Sequence, residues 1–207
     1  NFSDEEIRLY LLQLVQALKY ELYDDSPLLH FLVRRGSLEP KFLGHQLFWQ
    51  LVSEAHLSHI RLRFSKILVN FMCGLGRYRD ELLKGYEFTK SLVKINIEMQ
   101  QMDYTVATEH LRKRLQTIEI PEEFHLPMDP RLIVKKFIIE KCKVMNSKKK
   151  PFWLTFENAS KYATGPVQTL FKVGDDLRQD QLTLQVMSVM EYLWRKDGID
   201  LHMNCYG

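Results

Sequence analysis

The stretch Phe171-Lys172-Val173-Gly174-Asp175-Asp176-Leu177-Arg178-Gln179-Asp180 changes character along its length. It closes an apolar, β-branched run, turns at a glycine and opens a segment of helical period. Gly174 permits a tight turn, and the acids that follow sit near the positive end of a helix dipole. Downstream, Leu182, Val186, Val189, Met190 and Leu193 share one helical face, and Gly198 supplies a C-terminal stop. Lys172 lies among Leu170, Phe171 and Val173. A lysine so placed either alternates outward onto the wet face of a sheet or reaches an anion.

Upstream of that stretch, β-branched and aromatic runs at 141–145, 152–157 and 167–173 predict strands, and a further one is predicted at 199–203. The turn-rich segments 146–148 and 158–166 separate them. A small sheet with one helix packed on it is α+β in character. Asn146-Ser147-Lys148-Lys149-Lys150-Pro151 joins two of these strands and offers a hydroxyl, backbone amides and ammonium groups, the donors that phosphate oxygens need. It has no glycine and no strand-to-helix transition at GK[ST], so it is not a Walker loop. Basic hairpin tips are common, and alone the signal is weak. The segment from Ile120-Pro121 through Pro127 and Pro130 reads as a connector.

Before the connector the chain reads as helix after helix. Ser3-Asp4-Glu5-Glu6 is a capping-box start, and Ile7, Tyr10, Leu11, Leu14, Val15 and Leu18 form one apolar stripe. Ser26-Pro27 restarts a helix that Gly36 is expected to end. Pro40 opens another, with Leu43, Leu47, Phe48, Leu51 and Val52 inward. Helices are then expected at 58–72, ending at Cys73-Gly74-Leu75-Gly76, at 80–102 and at 106–116. Short helices with short connections pack as antiparallel neighbours, so stacked helical hairpins are the expected architecture. His56 and His59 have no carboxylate or thiolate at ligand spacing and read as surface or packed imidazoles.

Composition narrows the classes of function. The 207 residues carry 45% apolar and 12% aromatic side chains, which is a folded globular composition. A net charge of +3 is too small to imply nucleic acid. Between 131 and 150, however, eight basic residues face one acid, Glu140. Such a cluster is either a solvated face or a surface for phosphate or an acidic membrane. Three separated cysteines argue for a reducing compartment rather than a disulfide framework or a thiolate metal site. The polar, acidic first residues suggest no signal peptide, and no apolar run approaches membrane-spanning length. A cytoplasmic protein is the expectation.

A strand, a lysine, a turn and an acid-bearing helix is the order in which a kinase amino-terminal lobe sets its phosphate-contacting lysine beside the helix that orients it. The 171–180 run is similar to the signature of phosphoinositide 3- and 4-kinases. Further matches favour the 3-kinases: Met145-Asn146-Ser147-Lys148-Lys149-Lys150-Pro151-Phe152-Trp153, Glu191-Tyr192-Leu193-Trp194 and Gly198-Ile199-Asp200-Leu201. In the helical half, Tyr10-Leu11-Leu12-Gln13-Leu14-Val15-Gln16-Ala17-Leu18-Lys19-Tyr20-Glu21 and Gly44-His45-Gln46-Leu47-Phe48-Trp49 match as well. The lysine loop looks closer to class I catalytic subunits than to class II or III. Where the family often has a proline before its tyrosine-glycine pair, Cys205 stands here.

The resemblance implies a mainly α, helical-hairpin scaffold over 1–119. An α+β kinase-like N-lobe, a small antiparallel sheet plus one long helix, would follow over 120–207. It implies transfer of the ATP γ-phosphate to the inositol 3-hydroxyl of a membrane phosphoinositide, with Mg²⁺. By position, Ser147 and Lys149 would lie over the phosphates with Lys148 beside them, and Lys172 would contact the α-phosphate as the catalytic lysine. Met145, Pro151, Trp153 and Leu170 would line the adenine-facing cleft, and Asp180 and Tyr206 would close its inner end. The family's hinge, catalytic loop and Asp-Phe-Gly metal site would follow Gly207, so half an ATP site is expected here and no metal ligands. ATP and phosphoinositide lipids are the implied partners, with peripheral recruitment to membranes, and the resemblance leaves room for a regulatory subunit and a small GTPase. Two rival readings stand beside it: a scaffold or interaction module whose lobe has lost catalysis, and a protein kinase of the same superfamily.

Overall fold

In the computed structural model, residues 2–160 and 165–203 are described. The helices α1 (Asp4–Ala17), α2 (Pro27–Leu38), α3 (His45–Glu54), α4 (Arg61–Gly74), α5 (Tyr78–Glu98) and α6 (Tyr104–Thr117) come first. The strands β1 (Phe124–His125), β2 (Ile133–Phe137), β3 (Lys143–Val144), β4 (Phe152–Asn158) and β5 (Val167–Phe171) follow, and α7 (Arg178–Lys196) ends the order. By their contacts the residues form two compact units. One is Asn1–Arg79 with Asp176–Gly207, and the other is Asp80–Asp175.

The first unit is helical. The capping box at the start of α1 forms as read: Glu6 N donates to Ser3 Oγ at 3.1 Å and Ser3 N donates to Glu6 Oε2 at 2.9 Å. Ser26 Oγ caps α2 by accepting from Leu29 N, with Pro27 in the first turn. Leu11, Val15, Leu32, Leu47, Leu51, Phe64 and Phe71 are buried at the centre. Each such side chain contributes about 1.5–3 kcal/mol of burial.

Gly36 does not end α2, which continues to Leu38. The glycine has a packing role instead. A Cβ at Gly36 would lie 2.9 Å from Phe71 Cε2 and 3.0 Å from Leu47 Cδ2. The helix expected from Pro40 begins as a π-helical turn, Pro40–Gly44, in which Gly44 N donates to Glu39 O at 2.9 Å. A Cβ at Gly44 would stand 2.4 Å from the Gly36 carbonyl oxygen, so backbone meets backbone there. Arg63 is a clamp rather than a solvated side chain. It donates to the carbonyls of Leu18, Lys19 and Glu21, which lie at and just beyond the end of α1, and to Asp24 Oδ1.

In this unit α7 contacts α1. Gln185 Nε2 donates to Leu9 O at 2.7 Å and Tyr192 Oη to Glu6 Oε1 at 3.1 Å. The apolar face read from the sequence is present but not buried: Leu182, Val186, Met190 and Leu193 are all exposed. The strand expected at 199–203 does not form. A strand needs a partner to bond, and His202 adopts a left-handed φ of 48° with its N–H donated to Asp200 Oδ1.

The second unit packs α5 and α6 on one face of an antiparallel sheet. β4 is its hub, paired with β2 and β3 and, along Phe152–Phe156, with β5. Phe152, Leu154 and Phe156 point into the core with Phe88, Leu92, Leu111, Phe124 and Phe137. Phe137 stacks on Phe156 with ring centres 4.7 Å apart, and Phe88 meets Phe124 at 4.6 Å. The supposed connector holds β1 and leads into β2. Its prolines hid two short strands that pair through Phe124↔Val134 and His125↔Ile133. The buried Cys142 thiol, pushed up by burial, donates to Ile138 O and is a packed group rather than a reactive one.

Candidate functional site

Successive residues of a strand face opposite sides. With Phe152 and Phe171 facing the helices, the cross-strand row Lys143↔Trp153↔Leu170 faces the other way. Leu170 is exposed and Trp153 half-buried, so an apolar strip lies open on that face. Lys172, two residues beyond Leu170, continues the same face as β5 ends.

The loop between β3 and β4 is a pair of tight turns. Met145 N donates to Pro151 O at 2.7 Å, Ser147 N to Met145 O at 2.9 Å and Lys150 N to Ser147 O at 2.9 Å. The fold then carries the loop to the turn after β5, where Lys149 Nζ donates to Gly174 O at 3.1 Å. Gly174 has φ 80°, a conformation that favours glycine, and a Cβ there would approach Lys149 Nζ to 3.4 Å. Lys172 Nζ forms an ion pair with Asp175 across the same turn. Lys148 is exposed and makes no hydrogen bond or ion pair among the described residues. Lys149 and Lys172 thus meet the same turn after β5, where Lys172 pairs with Asp175, and Lys148 lies in the loop that reaches it.

The acids of the 171–180 run divide their duties. Asp175 turns back to Lys172, whereas Asp176 accepts from Arg178, whose guanidinium holds that carboxyl down to about 2. Met145, Ser147, Lys148, Lys149, Pro151, Trp153, Leu170 and Lys172 all belong to the Asp80–Asp175 unit. Asp180 lies exposed in the first turn of α7, in the other unit, and Tyr206 lies outside the described residues.

Sequence reading missed the fate of Lys150. Its Nζ donates to the carbonyls of Met99, Gln100 and Met102 just past the end of α5, and Asn96 Nδ2 donates to its carbonyl at 3.0 Å. The run of identical lysines gave no sign that one of them turns inward. The Asn96 and Gln100 that receive it lie about fifty residues earlier. Lys143 was also missed as a member of the open row, because its cross-strand partner was unknown.

Residues 1–84 match the phosphoinositide 3-kinase family accessory domain (PIK domain), and residues 166–207 match phosphatidylinositol 3- and 4-kinase. All 207 residues are 42% identical to Phosphatidylinositol 3-kinase 2 of Dictyostelium discoideum, covering 11% of it. They are 40% identical to Phosphatidylinositol 3-kinase 1 of the same organism, covering 13% of it. Phosphatidylinositol 3-kinase 3, also from Dictyostelium discoideum, is 35% identical over 99% of this chain and 12% of its own length. The chain therefore spans about a tenth of the relatives it matches. With a helical unit under the accessory-domain match and the lysine-turn-helix run under the kinase match, this chain belongs to the phosphoinositide 3-kinase family.

Proposed function

We propose that the chain is part of a lipid kinase that transfers the γ-phosphoryl group of ATP to the 3-hydroxyl of a membrane phosphoinositide. Residues 1–119 serve as its helical scaffold and 120–207 as the N-terminal lobe. The observation that supports this reading is the meeting of the lysine loop with the turn after β5, through Lys149 and Gly174, beside Lys172. The donor set suits a polyphosphate. Among the described residues Lys172 is paired only with a neighbouring, partly exposed carboxylate, Asp175, which an anion of higher charge can replace. Ser147, Lys148 and Lys149 add a hydroxyl and two ammonium groups, and Met145, Pro151, Trp153 and Leu170 offer an apolar surface to a flat base.

ATP, when bound, supplies the phosphoryl group; the residues here orient it and neutralise charge on its phosphates. Asp180 and Tyr206 are assigned to nucleotide binding by the family resemblance alone. Among the described residues no group of three His, Cys, Asp or Glu side chains is placed to hold a metal ion. By the family resemblance, ligands for Mg²⁺ are assigned to other parts of a full-length kinase, and the 207 residues alone are expected to be inactive. No helix among the described residues is long and apolar enough to cross a membrane. Encounter with lipid is assigned to peripheral recruitment, with a regulatory subunit and a small GTPase as further candidate partners.

The test is Lys172→Ala in the intact kinase. Losing one preorganised cation from a site that develops negative charge lowers turnover by about 10²–10³-fold. The melting temperature should hold, because Lys172 is exposed and contributes little to the core. Normal turnover, or a loss that tracks unfolding, removes Lys172 from the site.

A further inference from the structure

We infer that Lys150 is a positioning residue for the phosphate-facing loop, anchoring it to the carbonyl end of α5 so that Ser147, Lys148 and Lys149 are set before a nucleotide arrives. The inference rests on the proposed nucleotide-binding role of the loop.

The three adjacent lysines have one chemistry and three environments. Lys148 is exposed, and Lys149 reaches Gly174 O. Lys150 turns the opposite way because its backbone is left-handed, with φ 46°, a conformation non-glycine residues seldom adopt. That turn delivers Nζ to the carbonyl oxygens of Met99, Gln100 and Met102, where the chain leaves α5. Carbonyl oxygens gathered just past a helix C-terminus, of which Met99 O also accepts from Met102 N, together with the negative end of the helix dipole, are a natural seat for a cation. An ammonium group carries three N–H donors, one for each of these oxygens.

The anchor is two-sided. Asn96, 1% exposed within α5, donates Nδ2 to Lys150 O at 3.0 Å. Gln100 Nε2 donates to Asn96 Oδ1 at 2.7 Å and so sets the orientation of the Asn96 amide. The loop has no glycine, and its base is held by the side chain and the carbonyl of one residue. Holding the donors in place before binding removes an ordering cost that nucleotide binding would otherwise bear.

The test uses the intact kinase with ATP as the probe, and steady-state turnover is measured against both ATP and lipid. Lys150→Met keeps the stem and removes the donors. It is expected to raise KM for ATP and lower kcat/KM for ATP by about 10–100-fold, the scale of a misplaced binding group. KM for lipid should stay near wild type. Lys150→Arg, which can still donate to the carbonyls just past α5, should recover most of the loss. If Lys150→Met does not fold, Asn96→Ala is read in the same way, since it leaves the Nζ bonds in place. A fall in kcat or melting temperature with KM for ATP unchanged overturns the inference, because a purely structural contact reduces only the amount of active enzyme. Lys149→Ala separates the two layers of reasoning. If it leaves ATP affinity untouched, the phosphate-loop reading fails and this inference with it. If it weakens ATP while Lys150→Met and Asn96→Ala leave KM for ATP unchanged, only the positioning role fails.

Discussion

Gly44→Ala sets two effects of opposite sign against each other. Gly44 has φ −64° and ψ −40°, a right-handed helical conformation that alanine accepts. Reduced backbone freedom in the unfolded chain would favour the substitution by about 0.5–1 kcal/mol. Against this, the new Cβ would stand 2.4 Å from Gly36 O and 3.3 Å from Gly36 C. Close carbon–oxygen contacts between backbones lie at about 3.3–3.6 Å, so α2 and the turn before α3 must separate by roughly 1 Å. Overpacking of this kind costs about 1–3 kcal/mol, and the upper end applies because the obstacle is main chain rather than a rotatable side chain. The net expectation is a loss of about 2 kcal/mol, or about thirtyfold faster opening of α2 and α3. Amide hydrogen exchange of those helices in the intact kinase reads it directly. Gly74→Ala is the comparison: its Cβ would meet Ser37 Oγ at 2.7 Å, and that hydroxyl can rotate away. Exchange in Gly44→Ala no faster than wild type, or matched by Gly74→Ala, would refute the close-approach argument.

Arg63→Ala should destabilise the helical unit by about 1–3 kcal/mol, as the carbonyls of Leu18, Lys19 and Glu21 lose a donor. Arg61→Ala, which loses one 3.4 Å bond to His56 O, should change the melting temperature little. Equal melting shifts in the two variants would contradict the clamp. The Glu98 carboxyl is held below the usual 4.5, first by its hydrogen bond to the His110 ring and then by the Arg114 guanidinium. A depressed carboxyl stabilises the fold above its unfolded value, and that stability is lost as pH falls through the folded one. Glu98→Gln should therefore melt earlier than wild type near neutral pH and converge with it in acid, and a gap that does not depend on pH would discount the pairing. On the proposed roles, Asp180→Ala should lower turnover less than Lys172→Ala, since the role assigned to the carboxylate is to shape geometry and that assigned to the lysine is to neutralise phosphate charge. A larger loss from Asp180→Ala would reverse those roles.

The helices were legible because their signals are local. Ser3 and Ser26 cap within three residues of themselves, the apolar stripe of α1 repeats within one face, and the resulting bonds form as read. β4 and β5 were legible for the same reason, and their pairing brings Trp153 opposite Leu170. Errors arose where a residue's role depends on something distant along the chain. Gly36 reads as a helix stop, yet it exists to admit Phe71 and Leu47. The prolines around β1 read as a linker, although Phe124 finds Val134 across a tight return. The run at 199–203 has strand composition, but composition cannot supply a partner. Family motifs in the sequence alone lead to the expectation that Lys172 and the lysine loop act together. Only the tertiary structure decided that Lys149 reaches Gly174, that Asp175 pairs with Lys172 and that Lys150 turns away to hold α5. Backbone preference is set by a few neighbouring residues, whereas the partner of a flexible, charged side chain is chosen by whichever carbonyl or carboxylate the finished fold brings within hydrogen-bonding distance.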